Sequence, residues 1–212
     1  MSISSSTRPE PAGWNAQRFE ALYGERSDPW AMQGSWYEQR KRALVLASLP
    51  RVRYASACEP GCGEGLLTAE LAGRCDRLLA TDCSAQALAT ARSRLRGHAP
   101  HVRLQQAEVP APWPPGAFDL VVLSELLYYL HPSQIETLAG HVRSSLRSEG
   151  AVLACHWVHP IEGCALTGRQ VHRRLGAALG LRRVVALRDA DFVLEVWTRS
   201  EASSIAAGEG RL

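Results

Sequence analysis

Residues 59–65 read Glu59-Pro60-Gly61-Cys62-Gly63-Glu64-Gly65. A short run of small and apolar residues at 54–58 precedes them, and Leu66, Leu67 and Leu71 follow at helical spacing. The order is strand, tight turn, helix. Alternating glycines let a backbone turn sharply and let a ligand stand where a Cβ would otherwise be. A dinucleotide site asks for Gly-x-Gly-x-x-Gly. Counting from Gly61, the sixth position is Leu66, so the pyrophosphate fingerprint fails. Glu59 at the strand end would also set like charge beside a pyrophosphate. The ligand of this turn is therefore expected to be cationic or hydroxylated.

Working outward, the same unit recurs. Residues 77–81 read as a buried strand, and Ser84 caps a helix that buries Ala87, Leu88, Ala91 and Leu95. Residues 101–105 form a weaker third strand. After the Pro-rich loop at 110–116, residues 118–124 are so continuously apolar that both faces of that strand must be covered. Ser133 and Glu136 have capping-box spacing, and Ile135, Leu138, Val142 and Leu146 carry the apolar stripe of a helix toward Gly150. A fifth strand follows at 151–156, a helix at 170–179, and a hairpin of strands at 183–187 and 192–198 joined by 188–191. Upstream, residues 36–49 are an amphipathic helix closed by Pro50.

The fold class is α/β: a seven-stranded, Rossmann-like, doubly wound and mostly parallel sheet with a C-terminal antiparallel hairpin and an N-terminal helical lid. One folded domain is expected over 13–199, with the lid at 13–50. The polar segments 1–12 and 200–212 have nothing to bury and are expected to be disordered.

Composition narrows the function. The chain has 212 residues, 46% hydrophobic and 21% charged, which suits one globular core. No apolar run approaches the roughly 18 residues of a membrane span, and the Ser-rich start has no signal-peptide core, so a cytoplasmic location is expected and no membrane partner. A net charge of +3 spread along the chain is no nucleic-acid footprint. Six cysteines without Cys-x-x-Cys spacing read as reduced thiols. Cys155, His156, His159 and Cys164 carry zinc-ligand chemistry but lie at irregular spacing at a strand end and in its loop, so no metal is expected.

The turn at 59–65 resembles the first motif of the class I S-adenosylmethionine-dependent methyltransferases, Asp/Glu-x-Gly-x-Gly-x-Gly, and the resemblance extends over about residues 36–198. It implies S-adenosyl-L-methionine as cofactor, with Glu59 near the methionine ammonium and Gly61, Cys62, Gly63 and Gly65 lining it. Asp82 ends the second strand and by resemblance grips both ribose hydroxyls, which suits a carboxylate's two sets of lone pairs. Cys83 is then expected on the adenine, and Ala107 and Glu108 at its edge. Arg40 is expected either to pair with the methionine carboxylate or to serve a surface salt bridge.

A narrower resemblance lies in Asp28-Pro29-Trp30, Ser35-Trp36-Tyr37-Glu38 and Ser124-Glu125-Leu126-Leu127-Tyr128-Tyr129-Leu130. These are similar to the nodulation-type N-methyltransferases, which implies a small-molecule acceptor such as the amine of an amino sugar or oligosaccharide. A small-molecule O-methyltransferase and a non-catalytic cofactor-binding protein are the alternatives, and the oligomeric state is open.

An amine must shed a proton before it attacks, so an acceptor is expected near the ends of strands four and five. The candidates are Glu125, His131, His156 and His159. Glu125 is expected to attract the cofactor's sulfonium and chiefly to position the amine, with a histidine or water taking the proton, or else to cap the following turn. His131 and the two later histidines are equally compatible with plain loop surface. Trp30, Tyr37, Tyr128, Tyr129 and Trp157 are the aromatics expected to meet the acceptor or the sulfonium, the others packing the lid.

Overall fold

The computed structural model describes residues 13–97, 100–199, 204–208 and 210–211. The segment 1–12, expected to be disordered, lies outside the described residues, as do 200–203. Seven strands form one sheet: β1 (Ala57–Pro60), β2 (Leu78–Asp82), β3 (Val102–Gln106), β4 (Phe118–Ser124), β5 (Leu146–Trp157), β6 (Arg182–Arg188) and β7 (Phe192–Thr198). Their order is β3-β2-β1-β4-β5-β7-β6. Only β7 runs against its neighbours, inserted between β5 and β6.

The strand order follows from burial. Phe118 to Leu123 are all buried, so β4 belongs mid-sheet with helices on both faces. Val121 and Leu123 point to the face covered by α5 (Pro132–Ser145) and α6 (Gly168–Leu179). Leu120 and Val122 point to the face covered by α2 (Trp36–Ala47) and α3 (Leu66–Ala72). Each fully buried Leu or Val there contributes roughly 1.5–3 kcal/mol of transfer free energy. α4 (Ala85–Arg94) starts at Ser84, whose Oγ accepts the Ala87 N–H at 3.1 Å.

The strand order reverses between β1 and β4, and the carboxyl ends of the parallel strands open there into one cleft. α1 (Ala16–Glu25) lies over it, held by Glu20, which accepts the Ser84 hydroxyl at 2.6 Å.

Four boundaries depart from expectation. β1 begins at Ala57, because the Ser56 N–H is taken by the Asp119 carboxylate at 2.9 Å and Tyr54 makes only an isolated bridge to Cys75. The expected Ser133–Glu136 capping box does not form: Pro132 presets the first helical turn, and His131 and Gln134 form the box two residues earlier. Leu146 starts β5, pairing with Phe118, so the helix ends at Ser145. Within the segment expected to be disordered at the C-terminus, Ile205–Gly208 form a helical turn, α7. No described helix is long and apolar enough to cross a membrane.

Candidate active site

Gly61, Gly63 and Gly65 hold φ of +73°, +52° and +75°, a region L side chains rarely adopt. A Cβ on Gly63 would come within 2.9 Å of the Tyr23 hydroxyl, and one on Gly61 within 2.9 Å of Leu126 Cδ1. Pro60 has no N–H to extend β1, and the N–H groups of Gly61 and Cys62 both turn onto the Thr81 carbonyl at 2.7 and 2.9 Å. The turn is thereby folded over the end of β2. There the Asp82 carboxylate accepts the Gly63 N–H at 2.8 Å on one oxygen and the Ser84 N–H at 2.9 Å on the other. A carboxylate's two oxygens are the chemistry that suits a pair of hydroxyls.

These groups line a cavity of about 490 Å³, within the range of small-ligand sites. Its charged lining is lopsided: Asp28, Glu38, Glu59, Glu64, Asp82, Glu108 and Glu125 against Lys41 and Arg42. Some of these acids already serve the backbone. Asp28, at φ +56°, caps the N–H groups of Met32 and Gln33, and its own N–H binds Glu64. Glu59 has no such duty: its Oε2 is buried without a partner. Burial raises its pKa to about 8, eased by the Thr68 hydroxyl. Burial likewise raises that of Asp82, opposed by the N–H groups of Ser84 and Gly63. Arg42 donates Nε to Glu70 at 2.7 Å while its Nη1 is buried and unpartnered. An acid short of a cation and a guanidinium short of an anion on one wall fit the two ends of an amino acid.

On the β4 side, Glu125 sits at φ +51°. Its N–H donates to the Cys155 carbonyl at 2.9 Å, its Oε1 accepts Lys41 Nζ at 2.7 Å, and its Oε2 accepts the Trp157 N–H at 3.0 Å and the Tyr128 hydroxyl. Lys41 Nζ also meets Glu38 at 2.8 Å. Burial works against the Lys41 charge, but Glu125 and then Glu38 outweigh it and the pKa stands above the ordinary lysine range. Tyr37 crosses Trp157 edge-on at 5.7 Å, and its hydroxyl is buried without a partner. Tyr129 packs against Trp14 and Phe19, and Phe19 and Tyr23 against Trp30, so the lid's aromatics form a continuous wall.

Sheet order, glycine turn and the acid ending β2 define the methyltransferase class. A family described as "Methyltransferase domain" matches residues 57–150. Nodulation protein S of Sinorhizobium fredii is 31% identical, the alignment covering 76% of this chain and 70% of that protein. A solved Pseudomonas syringae structure assigned to the methyltransferases is 44% identical, covering 78% of this chain and 100% of that one with a TM-score of 0.70. The N-methyltransferase NodS from Bradyrhizobium japonicum WM9, in complex with S-adenosyl-L-homocysteine, shares the fold at 22% identity, covering 88% of this chain and 98% of that one with a TM-score of 0.74. The chain belongs to the S-adenosylmethionine-dependent methyltransferases of the nodulation-protein-S type.

Glu59, Gly61, Cys62, Gly63, Asp82, Cys83, Ala107, Glu108, Glu125, Trp30, Tyr37, Tyr128, Tyr129 and Trp157 all line the one cavity. Five expected residues do not. Gly65 faces α4 instead, where a Cβ would stand 3.0 Å from Ala91 Cβ. Arg40 points out of the cleft to Asp189 at 2.8 Å. Two positions apart on a helix is about 200° around the axis, so Arg42 takes the inner face. His131 is spent as the N-cap of α5, binding Ser133. His159 makes a half-exposed pair with Asp191 at 2.9 Å. His156 is fully buried beneath the wall: its Nε2 accepts the Leu127 N–H at 3.1 Å, and burial, then His172, drive its pKa well down. Lys41, Glu38 and Arg42 were not expected as site residues, although with Val45 they repeat at the helical spacing of an inner face.

Proposed function

We propose that the cleft holds S-adenosylmethionine with its ribose hydroxyls on Asp82, its ammonium beside Glu59 and its carboxylate on Arg42, and that the acceptor is the amine of a small molecule, an amino sugar or oligosaccharide. The observation that carries the amine is the Glu38–Lys41–Glu125 cluster at the cavity end away from Asp82. With both carboxylates ionised and one lysine between them it has a net charge of −1, which favours a cationic group over a carboxylate acceptor. Tyr37, Tyr128 and Trp157 supply ring faces and a hydroxyl around it.

When bound, the cofactor supplies an electrophilic methyl group on a sulfonium, which a neutral amine nitrogen captures while the C–S electron pair returns to sulfur. The protein's part is alignment, water exclusion and proton removal. No described histidine lines the cavity. Glu125 has both oxygens engaged, so the amine's proton passes to Glu38, whose Oε2 is unpartnered, or to water.

Product analysis decides the acceptor. Incubation with the cofactor and a panel of free amino sugars, their N-acetylated counterparts and small carboxylates should give N-methylated product from the free amines alone. Oxygen methylation, or turnover of the acetylated forms at equal rate, overturns the amine reading. Binding without turnover on any acceptor favours a non-catalytic role.

Glu59 makes cofactor binding pH-dependent. With a pKa near 8 it is largely protonated at neutral pH, and an ammonium brought beside it expels that proton. Calorimetry at pH 7 in buffers of different ionisation enthalpy should show release of up to about one proton, with affinity rising until about pH 8 and then levelling. The same shift acts on the stability of the fold. A folded pKa raised above the ordinary 4.5 costs stability progressively as pH climbs from about 4.5 through 8. Glu59→Gln should abolish the proton release, weaken binding and flatten the stability profile in that window.

A further inference from the structure

The His156 ring, set aside as a base, heads a buried chain of hydrogen bonds that the transfer reaction does not otherwise use. Its Nε2 faces the Leu127 N–H at 3.1 Å, its Nδ1 faces His172 Nε2 at 3.1 Å, and His172 Nδ1 faces Glu195 Oε2 at 2.8 Å. The second Glu195 oxygen accepts Arg183 at the surface. All three buried members are at most 6% exposed.

The partners dictate where the protons are. A backbone N–H can only donate, so His156 Nε2 must be a bare acceptor. His156 therefore carries its proton on Nδ1 and donates it to His172 Nε2, which must also be bare. His172 then donates from Nδ1 to the Glu195 carboxylate. One tautomer of each neutral ring satisfies every contact. The other tautomer of His156 would set two donors face to face at Leu127.

The construction is specific to these elements. β7 alternates Leu194 and Val196 toward α2 and α3 with Glu195 and Trp197 toward α6, which is how a carboxylate comes to lie under that helix. α6 approaches so closely that a Cβ on Gly168 would stand 2.1 Å from the Trp157 carbonyl and 3.0 Å from His156 Cβ. One helical turn later it delivers His172. The chain ends on the 3-10 turn Leu127–Tyr129, which carries Tyr128 and Tyr129 into the cavity, and Tyr128 packs edge-on against the His156 ring at 5.4 Å. The next residue of β5, Trp157, donates its N–H to Glu125, which is held in left-handed backbone. A strained residue persists only where its surroundings over-determine it.

We infer that the Glu195–His172–His156 chain is a positioning device that fixes the 3-10 turn, and through Tyr128 the Glu125 carboxylate, against the acceptor. This rests on the acceptor lying at the Glu125 end of the cavity. His156 and His172 touch no substrate and act through Leu127.

The test separates the device from the reaction. Nitrogen NMR of the ring-labelled wild-type protein at pH 7 should show both rings neutral with the proton on Nδ1. The Leu127 amide should be among the slowest to exchange, and should exchange faster in His156→Leu. In steady-state kinetics His156→Leu should lower kcat/KM for the acceptor roughly tenfold or more, with S-adenosylhomocysteine affinity within about threefold of wild type. His156→Gln, whose amide can both accept from Leu127 and donate to His172, should recover most of that loss. A His156 proton on Nε2, a charged ring at pH 7, or a glutamine variant no better than leucine overturns the inference. Should His156→Leu fail to fold, the tautomers in the wild type and the kinetics of His156→Gln decide it. Should no amine be methylated, the ring tautomers and the Leu127 exchange rate still decide whether the chain exists, separately from the acceptor assignment.

Discussion

Asp82→Ala is expected to lower affinity for S-adenosylhomocysteine by roughly 10²-fold or more in a calorimetric titration. In the proposed binding mode the lost interactions are two hydrogen bonds from ribose hydroxyls to a carboxylate, each worth about 1.5–3 kcal/mol, and every 1.4 kcal/mol is tenfold in Kd. The substitution also orphans the N–H groups of Gly63 and Ser84, which the Asp82 carboxylate accepts, so part of the effect is a loosened turn. Asp82→Asn separates the two contributions. Its carbonyl oxygen serves one backbone N–H while its amide repels the other and cannot accept both hydroxyls, so a loss of roughly tenfold is expected. Wild-type affinity in both variants removes Asp82 from the cofactor site.

Glu125→Gln is expected to lower acceptor turnover by roughly 10²-fold while cofactor affinity stays within a few-fold, the scale on which a misplacement of about 1 Å acts. In the folded protein both oxygens accept, from Lys41 on one side and from Trp157 and Tyr128 on the other. A glutamine must present its amide hydrogens to one of those donors. Either Lys41 is released toward Glu38 or the Trp157 and Tyr128 contacts open, and in both cases the acceptor end of the cavity loses its geometry and one negative charge. Initial rates at saturating cofactor, with cofactor Kd measured in parallel, check this. Unchanged turnover would exclude Glu125 from the acceptor site.

Much of the architecture was legible because burial leaves periodic marks. The unbroken apolar run of β4 announced a central strand. The alternation of 192–198, following 183–187 after a short connection, announced the hairpin. The glycine turn was legible for a different reason: positive φ and close approach leave little choice of residue at Gly61 and Gly63. What failed was the phase of elements whose buried residues are polar. α2 turns Lys41 and Arg42 inward, so hydrophobicity alone does not mark its inner face, and Arg40 was preferred over the residue two positions on. His156 failed similarly. A histidine at a strand's carboxyl end reads as a site residue, and only the partner 16 residues later on α6 reveals it as buried. The first turn of α5 was misread because a Ser-x-x-Glu pattern competes with a proline already shaped for the first helical position.

A crystal structure of the protein with S-adenosylhomocysteine tests the assignment of the cleft most directly. The expected result is one molecule in the cavity between β1, β2 and β4. Its ribose hydroxyls should lie about 2.7–3.2 Å from the Asp82 oxygens. Its ammonium should stand beside Glu59, its carboxylate on Arg42, and its sulfur should face the Glu125–Tyr128 end. A ribose without contact to Asp82, or a carboxylate held by Arg40 at the surface, would contradict it.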